Sequence, residues 1–274
     1  MPTPKLKQKK RRAMLKALAE RVAIVSTGVV VVLAGITYIA RMDELSIQTV
    51  YVEGDRVLKS SEVVELTGQV LSGSYLFLPR RNVLIYPKDD LERSIKAHFP
   101  RVKEVEVERA DLNRLNIYIE ERKPDALWCG DDPDRYRGCF YIDDEGFVFD
   151  EAPFFSGDIF FRYYGGGVDV RRPLRSKVAS SEWIDNVKVL KDHIEELGLK
   201  PISVHIKDDE FDLILERGAF LLFNKAQPME ESLSMLANLI RGGEEELIGD
   251  GGPNFLYIDL RFGNRVFYKM KHDE

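Results

Sequence analysis

Residues 22–40, VAIVSTGVVVVLAGITYIA, run for nineteen positions without a charged side chain, and this segment restricts the fold more than any other in the chain. As a helix, nineteen residues at about 1.5 Å each extend ~28 Å, close to the ~30 Å hydrocarbon core of a bilayer. The run is apolar on every face, which argues against a half-buried helix of a soluble core. A cleavable signal peptide has a shorter apolar stretch, about 7–15 residues, and small residues at its cleavage site. Cleavage after Ala40 would instead put bulky Tyr38 at the −3 position. The segment therefore reads as an uncleaved transmembrane helix over 22–40.

The flanking charges give this helix a direction. Residues 1–21 carry eight basic side chains (Lys5, Lys7, Lys9, Lys10, Arg11, Arg12, Lys16 and Arg21) against the single acid Glu20. Excess Lys and Arg stays on the cytoplasmic side. The expectation is a basic cytoplasmic tail over 1–21, a single span, and extracytoplasmic domains beyond it. Beyond residue 21, thirty-two basic face forty-five acidic side chains, so the net charge of −6 conceals an acidic ectodomain. Such a surface is unsuited to gripping a phosphate backbone, and no nucleic-acid partner is expected.

The ectodomain divides at Lys123-Pro124. SIQTVYVEG (46–54) alternates like a strand. KSSEVVELTG reads as a short helix capped by Ser60 or Ser61 and ended at Gly68. PKDDLERSIKAHFP (87–100) reads as a second helix, with Asp89 and Glu92 at capping-box spacing and Leu91, Ile95 and Phe99 on one face. Two alternating strands follow, with Val102, Val105 and Val107 in one and Leu115, Ile117 and Ile119 in the other. Strand, two helices and a hairpin over 45–123 make a small α+β unit. Residues 124–274 read as sheet-rich with two amphipathic helices. Ile184, Val187, Leu190, Ile194 and Leu197 stripe the first; Met229, Leu233, Leu236 and Ile240 stripe the second. Strands are expected at 202–207, 211–216 and 219–223.

Catalytic chemistry finds little support. His98, His193, His205 and His272 are scattered and at no metal-ligand spacing. No phosphate-binding loop, dinucleotide fingerprint or nucleophile elbow is present. Asp143, Asp144 and Glu145 stand between YI and GFVF, where a hairpin turn with Gly146 is the simpler account. Trp183 reads as a packing residue. No catalytic residue, metal or cofactor is expected. Cys129 and Cys139, the only cysteines, flank the turn-rich GDDPDRYRG. In an oxidising compartment this spacing favours a disulfide, with buried free thiols as the alternative.

The last segment, NFLYIDLRFGNRVFYKM (254–270), has a strand's alternation. Leu256, Ile258, Leu260, Phe262, Asn264, Val266, Tyr268 and Met270 line one face. Gly263-Asn264 within it fits a two-residue hairpin turn. The apolar face continuing across it fits a bulge in one long strand. The sequence leaves both open.

Taken in order, these pieces resemble the bacterial cell-division family FtsQ, also called DivIB. The basic tail and single anchor are followed by IQTVYVEGDRVLKSSEVVELTG. LERSIKAHFPRVKEVEVERADLNRLNIYIEERKPDALW is similar to the end of that family's POTRA domain. YIDDEGFVF and YIDLRFGNRVFYK are similar to its β-domain. Two departures stand out: Asp111-Leu112-Asn113 occupies the hairpin loop where the family often has Pro, and the cysteine pair is not a general family feature. The resemblance implies a non-enzymatic divisome scaffold at the septum that recruits the FtsB–FtsL pair and so influences septal peptidoglycan synthesis. It also implies that the last strand accepts a partner strand, with Arg261, Phe262, Arg265, Val266, Phe267 and Tyr268 as candidate contacts. The rival readings are a membrane-anchored cell-wall enzyme or its regulatory subunit, which needs a pocket of converging acid–base groups, and a POTRA-bearing assembly factor, which usually repeats the POTRA unit.

Overall fold

The computed structural model describes residues 4–54, 56–134, 138–242, 247–249 and 251–271, with backbone alone at 4–13 and 17. The side chains from Lys5 to Arg12, the loop residues Arg135–Arg137 and His272 lie outside that description. The chain divides into two compact units, Met1–Glu120 and Glu121–Glu274.

Helix α1 runs unbroken from Pro4 to Ala40, so the basic tail continues the helix of the apolar span. Within it, Met14–Ala40 is long and apolar enough to cross a membrane, and none of that stretch is buried by protein. An apolar helix that protein leaves bare needs lipid around it. Its few hydroxyls are satisfied locally. Ser26 and Thr27 donate to the Ala23 carbonyl at 3.0 and 2.8 Å, and Thr37 donates to Leu33 at 2.8 Å.

The rest of the first unit is β1 (Thr49–Glu53), α2 (Ser60–Val70), α3 (Lys88–His98), β2 (Val102–Asp111) and β3 (Arg114–Glu121). The sheet order is β1-β3-β2, with β1 parallel to β3. Val63 of α2 and Leu91, Ile95 and Phe99 of the α3 segment are buried on Val105, Val107, Leu115, Ile117 and Ile119. The expected strand faces and the α3 stripe are therefore the core. The expected caps are not present. Lys59 and Pro87 occupy the two N-cap positions without a side-chain hydrogen bond, and α2 continues through Gly68 to Val70. Glu92 instead accepts a 3.0 Å bond from the Val107 amide, tying helix to sheet. A tertiary partner has outcompeted the local cap.

The second unit holds β4 (Ala126–Trp128), β5 (Cys139–Ile142), β6 (Val148–Ala152), β7 (Arg162–Gly165), α4 (Ser181–Glu196), β8 (Pro201–Ile206), β9 (Glu210–Leu215), β10 (Phe220–Asn224), α5 (Met229–Gly242), β11 (Phe255–Phe262) and β12 (Arg265–Met270). One mixed nine-stranded sheet runs β12-β11-β10-β9-β8-β7-β4-β5-β6. Ser180 caps α4, accepting from the Trp183 amide at 3.2 Å. Ile184, Val187, Leu190 and Ile194 bury the α4 stripe, and Leu236 is the most buried apolar residue of α5. Trp183 packs edge-on against Phe211, ring centroids 5.6 Å apart. Strands β4 and β7 went unrecognised in the sequence because each is short and lacks alternation; Ala126, Leu127 and Trp128 are all buried. Their parallel pairing brings Trp128 Nε1 to the Gly165 carbonyl at 2.9 Å.

Candidate partner-binding edge

Strand β11 turns back on itself through Gly263-Asn264 and pairs antiparallel with β12, with Ile258 opposite Tyr268, Asp259 opposite Phe267 and Phe262 opposite Arg265. Gly263 has φ of 64°. Glycine at the first central position, with positive φ, is what a II′-type hairpin turn requires. The turn, not a single bulged strand, is thus the observed structure. Register slips do occur, between Phe255 and Tyr257 and between Asp259 and Phe262. The first moves Phe255 into the core alongside Ile258 and Leu260.

Strand β12 is the last in the sheet, with β11 as its hydrogen-bonded neighbour. Among the described residues no strand lies on its outer side. Successive side chains of a strand alternate between faces, so Arg265 and Phe267 share one face and Val266, Tyr268 and Met270 the other. Val266 and Met270 pack against the core. Phe262, Phe267 and Tyr268 are large yet 55%, 50% and 41% exposed. The two phenylalanine rings meet edge to face, centroids 5.5 Å apart.

Arg261 sits behind this aromatic pair on β11. Its Nε and Nη2 donate to the two carboxylate oxygens of Asp259 at 2.8 and 2.6 Å, and its Nη1 donates to Glu210 at 2.6 Å. A bidentate guanidinium–carboxylate fork is strong and directional. The Asp259 bond is the main reason that the guanidinium is held even more firmly protonated than usual. Burial alone would raise the pKa of Asp259; the hydrogen bonds and charge of Arg261 outweigh it and hold the carboxyl below its ordinary range. The structure therefore brings Arg261, Phe262 and Phe267 together, while Arg265, Val266 and Tyr268 follow along the edge. Asp259 and Glu210 were missed in the sequence. Their signal was present only for Asp259, which stands two residues from Arg261 and so on the same strand face.

Asp143 and the two cysteines hold structural positions. Asp143 is buried in the β5–β6 turn, accepts from the Glu145 and Phe147 amides at 3.0 and 2.9 Å, and pairs with Arg122. The Arg122 guanidinium lies 4.1 Å from the Phe147 ring centre. Cys129 and Cys139 are joined in a disulfide at the mouth of the β4–β5 loop. Among the described residues no cluster of three or more His, Cys, Asp or Glu could hold a metal ion.

Residues 45–122 match the family model of the POTRA domain, FtsQ-type. The chain carries an FtsQ-type POTRA domain. The match supports an FtsQ/DivIB family protein, with cell division as its setting. No curated protein matches the chain by sequence. The apolar α1 preceding the POTRA domain marks membrane anchoring.

Proposed function

We propose that the chain is a non-enzymatic, single-pass scaffold of the bacterial divisome, with its N-terminus in the cytoplasm and its two folded units outside the membrane at the septum. It recruits an FtsB–FtsL-like pair by adding a partner strand to β12. The observation that carries this reading is the edge position of β12 together with its exposed aromatic side chains. Unpaired strand edges are liabilities unless something covers them, and an added strand gains main-chain hydrogen bonds while its alternate side chains enter pockets. Arg265 and Phe267 meet the partner on one face, Val266 and Tyr268 on the other, and Phe262 extends the apolar contact at the turn. Arg261 contributes by fixing the ledge beneath Phe262, its guanidinium 5.7 Å from that ring.

Binding of a soluble FtsB–FtsL pair to the detergent-solubilised protein tests this. Phe267→Ala weakens affinity by about thirty-fold, the equivalent of a ~2 kcal/mol hot spot. Arg265→Glu weakens it further at low salt. Unchanged affinity in both variants, with circular dichroism reporting an intact fold, rejects β12 as the docking edge.

A further inference from the structure

The first unit presents an apolar feature that neither its core nor the β12 edge explains. Residues 74–79 form a two-rung hairpin, with Ser74 opposite Pro79 and Tyr75 opposite Leu78. Its tip is Leu76-Phe77. Leu76 is 87% exposed and holds φ of 56°. A branched residue in the left-handed region is a costly choice for a tip that glycine or asparagine would serve better. Tyr75 and Phe77 beside it are also exposed. Three consecutive large side chains facing water at a turn call for another solvent.

The position of the hairpin identifies that solvent. Leu78-Pro79 of the hairpin packs against α1 near its C-terminal end. The contact is made there. Arg41 Nη2 donates to the Phe77 carbonyl at 3.5 Å, and buried Asn82 donates to the Ala40 carbonyl at 2.9 Å. Phe77 also lines a concave apolar surface with Leu33, Ala34, Thr37 and Tyr38 of α1. The hairpin is therefore continuous with the face of the anchor that lipid covers. Its charge pattern suits the headgroup layer. The Arg80 guanidinium lies 4.7 Å from the Tyr75 ring centre, and Arg41 stands at the helix end. Aromatic rings with adjacent cations are the usual residues of the bilayer–water boundary.

We infer that the Tyr75-Leu76-Phe77 tip is a second membrane contact, inserted into the headgroup–acyl boundary of the phospholipid leaflet that α1 enters. It fixes the first unit against the membrane, where the span alone leaves rotation and tilt free. The inference rests on the membrane-anchor reading of α1.

The test uses the full chain in phosphatidylcholine–phosphatidylglycerol vesicles. With Cys129 and Cys139 disulfide-bonded, Leu76→Cys supplies one thiol for an environment-sensitive fluorophore. Lipids carrying a nitroxide near the headgroup should quench this label at least twice as strongly as lipids carrying it near the chain end. Lys59→Cys, at the far end of α2, should be quenched by neither. Val29→Cys, within the span, should be quenched most by the deep nitroxide. Quenching at position 29 with none at 76 overturns the hairpin contact and leaves the anchor standing. Stronger deep than shallow quenching at 76 overturns the interfacial placement. No quenching at 29 overturns the anchor reading itself, and the hairpin contact with it. Intact far-ultraviolet circular dichroism guards each variant against misfolding.

Discussion

Asp259 is buried at 6% exposure on a strand one place from the sheet edge, and its charge is tolerated there because Arg261 meets both of its oxygens. The sign of the pH dependence follows. A carboxyl whose folded pKa is depressed contributes stability that is fully present above its unfolded value and is lost as pH falls through the folded one. Asp259→Asn is therefore expected to unfold at lower temperature than the parent at neutral pH. The two melting curves should converge in acid, below the ordinary carboxylate range, in a series of thermal melts. Removing the cation is worse than removing the anion, since a buried carboxylate is then left without its fork. Breaking a fully buried pair costs ~3–5 kcal/mol; with the Arg261 side chain 26% exposed, Arg261→Ala should cost on the order of 2–3 kcal/mol in urea unfolding. Its effect on partner binding should follow that loss of order in the ledge, and Glu210→Gln should reproduce a fraction of it.

The hairpin of β11 and β12 is where element-scale chemistry decides most. Gly263→Val puts a β-branched side chain at φ of 64°, where the left-handed penalty is about 1–2 kcal/mol. Lower stability and faster amide exchange confined to β12 are the expected readouts. The disulfide closes a short loop and stabilises by about 2–3 kcal/mol at most. Replacing Cys129 and Cys139 together with Ser should cost no more than that in denaturant and leave partner affinity at β12 unchanged. What the sequence made legible follows from these local rules. The α4 stripe and the β2 and β3 alternation were readable because one face is buried and the other wet, so periodicity survives. Strand β4 was not, because all three of its residues are buried. The turn at Gly263-Asn264 was ambiguous because the alternation is reset away from the dipeptide, by register slips between Phe255 and Tyr257 and between Asp259 and Phe262. The capping residues differ from the expected ones, with Lys59 and Pro87 at the N-cap positions, because a capping signal is worth about 1 kcal/mol and a tertiary bond such as that from the Val107 amide to Glu92 overrides it. Of the candidate site, Arg261 to Tyr268 could be named from the sequence, while Glu210, the distant partner of Arg261, could not, since it is fifty-one residues away in the chain.

At the scale of the whole molecule, one helix carries two kinds of information. Its membrane-length stretch, Met14–Ala40, marks where the chain is anchored, and in the proposed topology the basic residues of its first turns set which way it points. Eight Lys and Arg against one Glu before residue 22 give a strong positive-inside bias, whereas Arg41 is followed at once by Asp43 and Glu44. The orientation proposed here depends on that difference, because the K/R balance across a single span decides which end stays in the cytoplasm. An alkaline phosphatase fused after Glu274, active only outside the cytoplasm, should report high activity with the native tail. Substituting Gln for Lys5, Lys7, Lys9, Lys10, Arg11 and Arg12 leaves two basic residues against one acid ahead of the span. The helix keeps its length and hydropathy, so the chain should still fractionate with membranes. Its phosphatase activity should fall several-fold as a population inserts in the opposite sense, with a matching rise from a fusion that is active only in the cytoplasm. Unchanged phosphatase activity in the Gln variant would mean that the ectodomain, and not the tail, drives translocation. Low activity with the native tail would reverse the proposed topology and remove β12 from the compartment in which an extracytoplasmic partner could reach it.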